Sequence, residues 1–96
     1  MIDLPDPDRA TVKSLLSRHL PDCKFYAFGS RVRGTAHRFS DLDIAIESDR
    51  PIETRRLESL RDALSESDLP ILVDLVDLSK VGDTFRKRID ESKEPL

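Results

Sequence analysis

The sequence predicts an α+β fold of two layers, a small three-stranded mixed sheet packed with helices. Two observations predict it. Helical and strand-like patterns alternate along the chain without repeats or low-complexity tracts, and three short apolar runs at 23–28, 41–46 and 71–77 supply the strands. One short connection and one long one join those runs, so one strand pair is expected antiparallel and the other parallel. At 96 residues the chain is read as one domain, 1–96, with a modest core.

Residues 6–20 read as the first helix. Asp6 can cap it, Pro7 suits its first position, and Val12, Leu15, Leu16 and Leu20 keep helical spacing up to Pro21. CKFYAF, residues 23–28, is short and apolar and reads as a strand, with Cys23 as a buried strand thiol. Gly29-Ser30 breaks it, residues 30–33 can form a helical turn closed by Gly34, and 35–40 read as a loop. DLDIAI, 41–46, is the second strand. Pro51 is read as opening a helix to about Ser65, with Ile52, Leu57, Leu60 and Leu64 on its inner stripe. ILVDLVD, 71–77, is a third strand expected to be mostly buried. Ser79 can cap a last helix containing Phe85 and Ile89, and the charged tail ESKEPL is expected to fray.

Apolar residues make up 38% of the chain and charged residues 36%, and no window reaches the roughly 18 apolar residues of a membrane span. MIDLPDPDRA lacks the apolar stretch of a signal peptide, and the single cysteine excludes an intramolecular disulfide. Both point to a reducing cytoplasm and away from a membrane. A net charge of −3 disfavours direct nucleic-acid binding, and no stacking platform for single strands is evident. The distribution is more telling than the sum. Arg31, Arg33 and Arg38 fall in 29–40, which holds no acid, and Asp41, Asp43, Glu47 and Asp49 follow at once. Mixed surface charge is the plain alternative, but the pattern suits a site for an anion and a metal together.

The informative stretch is FGSRVRGTAHRFSDLDIAI, residues 28–46. Gly29 permits close approach of an anion, and the amides at the start of the following turn, with the Ser30 hydroxyl, can hold phosphate oxygens. Arg33, one turn on, can add a fork of donors. Asp41 and Asp43 lie two apart on a strand and project from one face. Carboxylates that close repel, and a divalent cation with oxygen ligands relieves the repulsion. Asp74 and Asp77 have opposite parity, so only one can join them. An acid inside an apolar strand needs a reason, which makes Asp74 the better candidate. Arg31 and Arg38 are read as solvated or facing a partner, His37 as a plain loop residue, His19 as a helix-dipole residue, and Phe25, Tyr26, Phe28 and Phe85 as core.

These residues resemble the DNA polymerase β-like nucleotidyltransferase superfamily, and more closely its minimal nucleotidyltransferases, the MNT antitoxin type encoded beside HEPN toxins. The signature is Gly-Ser, about ten residues, then Asp-x-Asp; here Gly29-Ser30, ten residues and Asp41-Leu42-Asp43. Phe28, Arg33-Gly34 and Ser40 agree with the flanks, and Asp74 matches the third carboxylate, on a later strand. The resemblance runs from the first helix to the last. It implies the polymerase β-like fold, with Asp41, Asp43 and Asp74 as catalytic metal ligands and Asp74 also as general base. Gly29, Ser30 and Arg33 would be nucleotide contacts. Two Mg²⁺ ions are implied, with Mn²⁺ an alternative, and ATP as substrate. The implied reaction transfers AMP to a hydroxyl with loss of pyrophosphate, the acceptor being a tyrosine on a HEPN-domain partner toxin. Homo-oligomerisation stays open. The competing reading is a non-catalytic nucleotide-binding antitoxin that neutralises its partner by forming a complex.

Overall fold

The computed structural model describes residues 2–96 and contains four helices and four strands among them. In chain order they are α1 (Asp6–His19), β1 (Lys24–Phe28), α2 (Ser30–Arg33), β2 (Leu42–Glu47), α3 (Thr54–Glu66), β3 (Val73–Asp77), α4 (Asp83–Ser92) and β4 (Glu94–Pro95). The sheet order is β3-β2-β1-β4. β1 pairs antiparallel with β2 and β4, and β2 pairs parallel with β3. The α+β class and the mixed sheet are as the sequence predicts; the strand count is four and not three. The extra strand is β4, in the tail expected to fray: Glu94 stands opposite Ala27 and Pro95 opposite Tyr26. Lys93 helps to hold it, with its ammonium 4.5 Å from the Tyr26 ring centroid and 2.8 Å from an Asp90 carboxylate oxygen.

The two faces of the sheet differ. Ala27, Leu42, Ile44, Ile46 and Leu75 point to one face and pack with Val12 and Leu16 of α1 and Leu57, Leu60 and Leu64 of α3. Ile2, Leu4, Leu20 and Ile52 close the rim of this core. Burying each Leu, Ile or Val side chain among them stabilises the fold by about 1.5–3 kcal/mol, so this face fixes the strand register. The opposite face carries a smaller cluster of Phe28, Ala45, Leu78 and Ile89, and α4 is the helix packed there.

Several boundaries differ from the sequence prediction for identifiable reasons. Pro5, not Asp6, precedes α1, which lacks a side-chain cap and instead places Asp6 and Asp8 in its positive first turn. Pro51 and Ile52 lie outside regular structure, and α3 begins at Thr54. The third strand starts at Val73, and Leu72 ahead of it is 73% exposed. Ser79 is capped rather than capping: its amide and hydroxyl both donate to Asp77 Oδ1, at 2.9 and 2.7 Å, within a 3₁₀ turn at Leu78–Lys80. Cys23 lies half-buried just ahead of β1, and burial raises its thiol pKa.

Arg31 departs furthest from expectation. It is buried, at 5% exposure, and not solvated. Its guanidinium donates to main-chain carbonyls only: Asp3 at 2.7 Å, Ser40 at 2.9 and 3.1 Å, Arg38 at 3.2 Å and His37 at 3.4 Å. The Asp3 amide donates back to the Arg31 carbonyl at 2.7 Å. One side chain thus ties the N-terminal strap, α2 and the 37–40 turn together. Arg31→Lys keeps the charge but loses the planar fork. It is expected to cost about 2 kcal/mol and lower the melting temperature by roughly 8 °C or more. Thermal denaturation followed by circular dichroism checks this, and a melting point within a degree or two of the parent would show the carbonyl cage to be dispensable.

Candidate active site

β1 ends at Phe28 because Gly29 turns the chain with φ 81° and ψ −153°, a region essentially reserved for glycine. A Cβ at this position would run into Asp43 Oδ2. Glycine here therefore satisfies two demands, the backbone angle and the close packing of a carboxylate. The Gly29 carbonyl accepts from the Val32 and Arg33 amides, which starts α2, and Gly34 closes it in the left-handed region at φ 79°. The Ser30 and Arg31 amides at the start of α2 find no main-chain acceptor among the described residues, and the Ser30 hydroxyl no partner there.

The strand registers build the rest. Phe28 stands opposite Asp43, and Asp43 opposite Asp74. Cross-strand partners share a face, so Phe28, Asp43 and Asp74 form one row across three strands, on the face away from α1 and α3. The next row is Tyr26, Ala45 and Val76, partly covered by Ile89 of α4. Asp41 precedes β2 and is exposed. It follows Ser40, whose carbonyl Arg31 holds and whose hydroxyl accepts from the His37 amide at 2.7 Å. Gly29, Arg33, Asp43 and Asp74 all line one cavity of about 330 Å³; Ser30 and Asp41 do not.

Burial, then the negative charges of Asp74 and Asp41, raise the Asp43 pKa, and the Arg33 guanidinium partly opposes them. Asp43 is thus the most crowded acid of the group. Asp74 is exposed, contrary to the burial expected of it, and Asp77 is the buried one, at 7%. The β2–β3 register explains the exchange: Asp77 faces the packed side and Asp74 the open side. Among the described residues no three His, Cys, Asp or Glu side chains converge at metal-binding distance. The donors present nevertheless fit Mg²⁺. It is commonly held by one or two carboxylates plus substrate phosphates, and Asp43 with Asp74 form such a pair with Asp41 beside it.

Arg33 lies in the cavity, whereas Arg38 sits 5.4 Å from the exposed Phe39 ring. His37 is an exposed turn residue. α4 was the part of the site that the sequence concealed. Phe85, predicted as core, is 45% exposed and lines the cavity with Arg88 and Ser92. The helical spacing of 85, 88, 89 and 92 was visible, but nothing in it told which layer the stripe would meet.

A glycine turn beside paired strand carboxylates, on a mixed sheet backed by two helices, suits a site that holds phosphates and a divalent cation together. The model of the nucleotidyltransferase domain family matches residues 9–96, and the chain belongs to that family. It is 43% identical over 88 residues to the "probable protein adenylyltransferase MntA" of Haemophilus influenzae, covering 92% of this chain and 77% of that protein. A crystal structure of a toxin–antitoxin with AMP-PNP superposes with a TM-score of 0.76 at 30% identity, over 90% of this chain and 69% of that one. A mutant MntA–HpeT toxin–antitoxin pair gives a TM-score of 0.74 at 28% identity, over 92% and 70%. The resemblance to minimal nucleotidyltransferases is borne out, as is the enzyme class.

Two stability measurements test the geometry. Gly29→Ala is expected to cost about 2 kcal/mol or more through strain and collision with Asp43, read as a fall in the urea midpoint. For Asp43 the sign follows from its raised pKa. The charged form is disfavoured in the fold, so its cost is absent below the unfolded pKa and complete above the folded one. Asp43→Asn should therefore raise the melting temperature at pH 7 by about 2–4 °C, after discounting for partial exposure. The gain should vanish near pH 4 or below. A variant less stable than the parent at pH 7 in metal-free buffer would contradict the crowding.

Proposed function

We propose that this chain transfers AMP from ATP to a hydroxyl on a protein partner, with pyrophosphate leaving. The observation that carries the reading is the row that sets Asp43 beside Asp74, with Gly29 and Arg33 on the same cavity. The Gly29-Ser30 turn and Arg33 hold the β- and γ-phosphates, which places the α-phosphorus over the carboxylate row. Asp43 and Asp74, with Asp41 beside them, would hold up to two divalent cations. When bound, these neutralise charge on the phosphates and lower the pKa of the acceptor hydroxyl. Asp74, the exposed member of the facing pair, takes the acceptor's proton. The acceptor oxygen then bonds to the α-phosphorus as the bond to the bridging oxygen breaks, and pyrophosphate carries away the electron pair. Positioning and charge stabilisation supply most of the rate.

The partner is read as a HEPN-type toxin. Support comes from the relatives, which are described as a protein adenylyltransferase and as members of toxin–antitoxin pairs, one of them with AMP-PNP. No described helix is long and apolar enough to cross a membrane, which is compatible with a cytoplasmic setting.

Label transfer tests the reaction. The chain is mixed with Mg²⁺, a HEPN partner and ATP labelled at the α- or the γ-phosphate. Label should reach the partner from the α-position alone. Asp43→Asn should lower the rate at least about 10³-fold, as expected when charge stabilisation at the transition state is lost, and EDTA should stop it. Transfer from the γ-position, or full activity in Asp43→Asn, would overturn the reading. A stable complex without any transfer would establish the non-catalytic antitoxin instead.

A further inference from the structure

α4 turns one stripe toward the carboxylate row: Phe85, Arg88, Ile89 and Ser92. Ile89, 1% exposed, wedges the helix against Ala45 and Leu78. All four line the cavity, whose remaining walls are Phe28, Val76, the Asp43–Asp74 pair, Gly29 and Arg33. The Phe85 ring meets Phe28 edge to face, with centroids 6.2 Å apart and planes at 76°. That contact fixes the ring's orientation while leaving it 45% exposed. Arg88 makes no hydrogen bond or ion pair among the described residues. Of the large exposed apolar side chains among the described residues, Phe39, Leu72 and Phe85, only Phe85 borders this cavity.

We propose that the α4 wall is the nucleobase site, with the base stacked on Phe85 and flanked by Arg88. The proposal rests on the nucleotide-transfer reading above and names how the nucleoside end is held. Three features favour it. The cavity is continuous from the phosphate contacts Gly29 and Arg33, past the carboxylates, to an aromatic ring and an unengaged guanidinium. Those two groups are what hold a flat heterocycle without reading its edge. Its volume of about 330 Å³ lies at the low end of small-molecule sites, roughly 300–1,000 Å³, and suits one nucleoside. The acceptor has another approach. α4 covers the Ala45–Val76 side of the carboxylate row, whereas Leu72, 73% exposed, directly precedes β3 at the other end of that row's strand.

The test compares ligands with and without a base. Calorimetric titration measures the full chain, Phe85→Ala and Phe85→Trp against Mg-ATP and against Mg-tripolyphosphate. Phe85→Ala should weaken Mg-ATP about tenfold, the scale of one lost stacking contact, and leave tripolyphosphate unchanged within about twofold. Phe85→Trp should keep ATP affinity within about threefold. An unchanged ATP affinity in Phe85→Ala, or equal weakening of both ligands, overturns the nucleobase site while leaving the transfer reading intact. A parent chain that binds neither ligand overturns both.

Discussion

Asp43 and Asp74 stand opposite each other on parallel strands, and Asp43 is further pressed against the Gly29 backbone. No ordinary fold gathers negative charge this way for stability. Burial and repulsion both raise the Asp43 pKa, so the arrangement costs free energy that the rest of the molecule must offset. The offset lies on the other face of the same strands. Leu42, Ile44 and Ile46 alternate with Asp43 and Ala45 and are fully buried against α1 and α3. A slip of one residue in β2 would expose those three side chains and bury the carboxylates, so the apolar face enforces the acidic row.

The basic half of the motif divides its labour in a way that charge counting misses. Arg31, Arg33 and Arg38 lie within one short segment, yet one is caged by carbonyls, one lines the cavity and one sits over Phe39. Arg31 has no acidic partner among the described residues; its charge is solvated by main-chain dipoles from Asp3 and from 37–40. The His37, Arg38 and Ser40 carbonyls belong to the turn that delivers Asp41 to β2, while Arg31 itself sits in the turn begun by Gly29. The two halves of the Gly-Ser and Asp-x-Asp motif are therefore joined mechanically by a residue that carries none of the chemistry.

What could be read from the sequence was what local pattern determines. α1 and α3 follow from their apolar spacing, α2 from its glycine brackets, and the carboxylate row from parity along β2 and β3. What could not be read depends on partners distant in sequence. β4 is two residues long and exists because Glu94 and Pro95 meet β1. Asp74 is exposed and Asp77 buried because parity separates their faces without saying which face is covered. Phe85 looks like core on its own helix, and only the docking of α4 leaves its ring at the cavity.

This division of the sheet bears on how so short a chain can hold a charged site. Three consecutive positions on β2 serve two masters: Asp43 faces the cavity, Ile44 the main core, and Ala45 the underside of α4. Ala45 is small and wholly buried, which lets Ile89 seat α4 close to the sheet one row behind the carboxylates. A larger residue there would lift the helix and widen the cavity without touching a charged group. The spacing of the α4 wall from the acidic row is thus set by apolar packing. On the proposed reading, the fit of the nucleoside is decided at Ala45 and Ile89 as much as at the residues that would touch it.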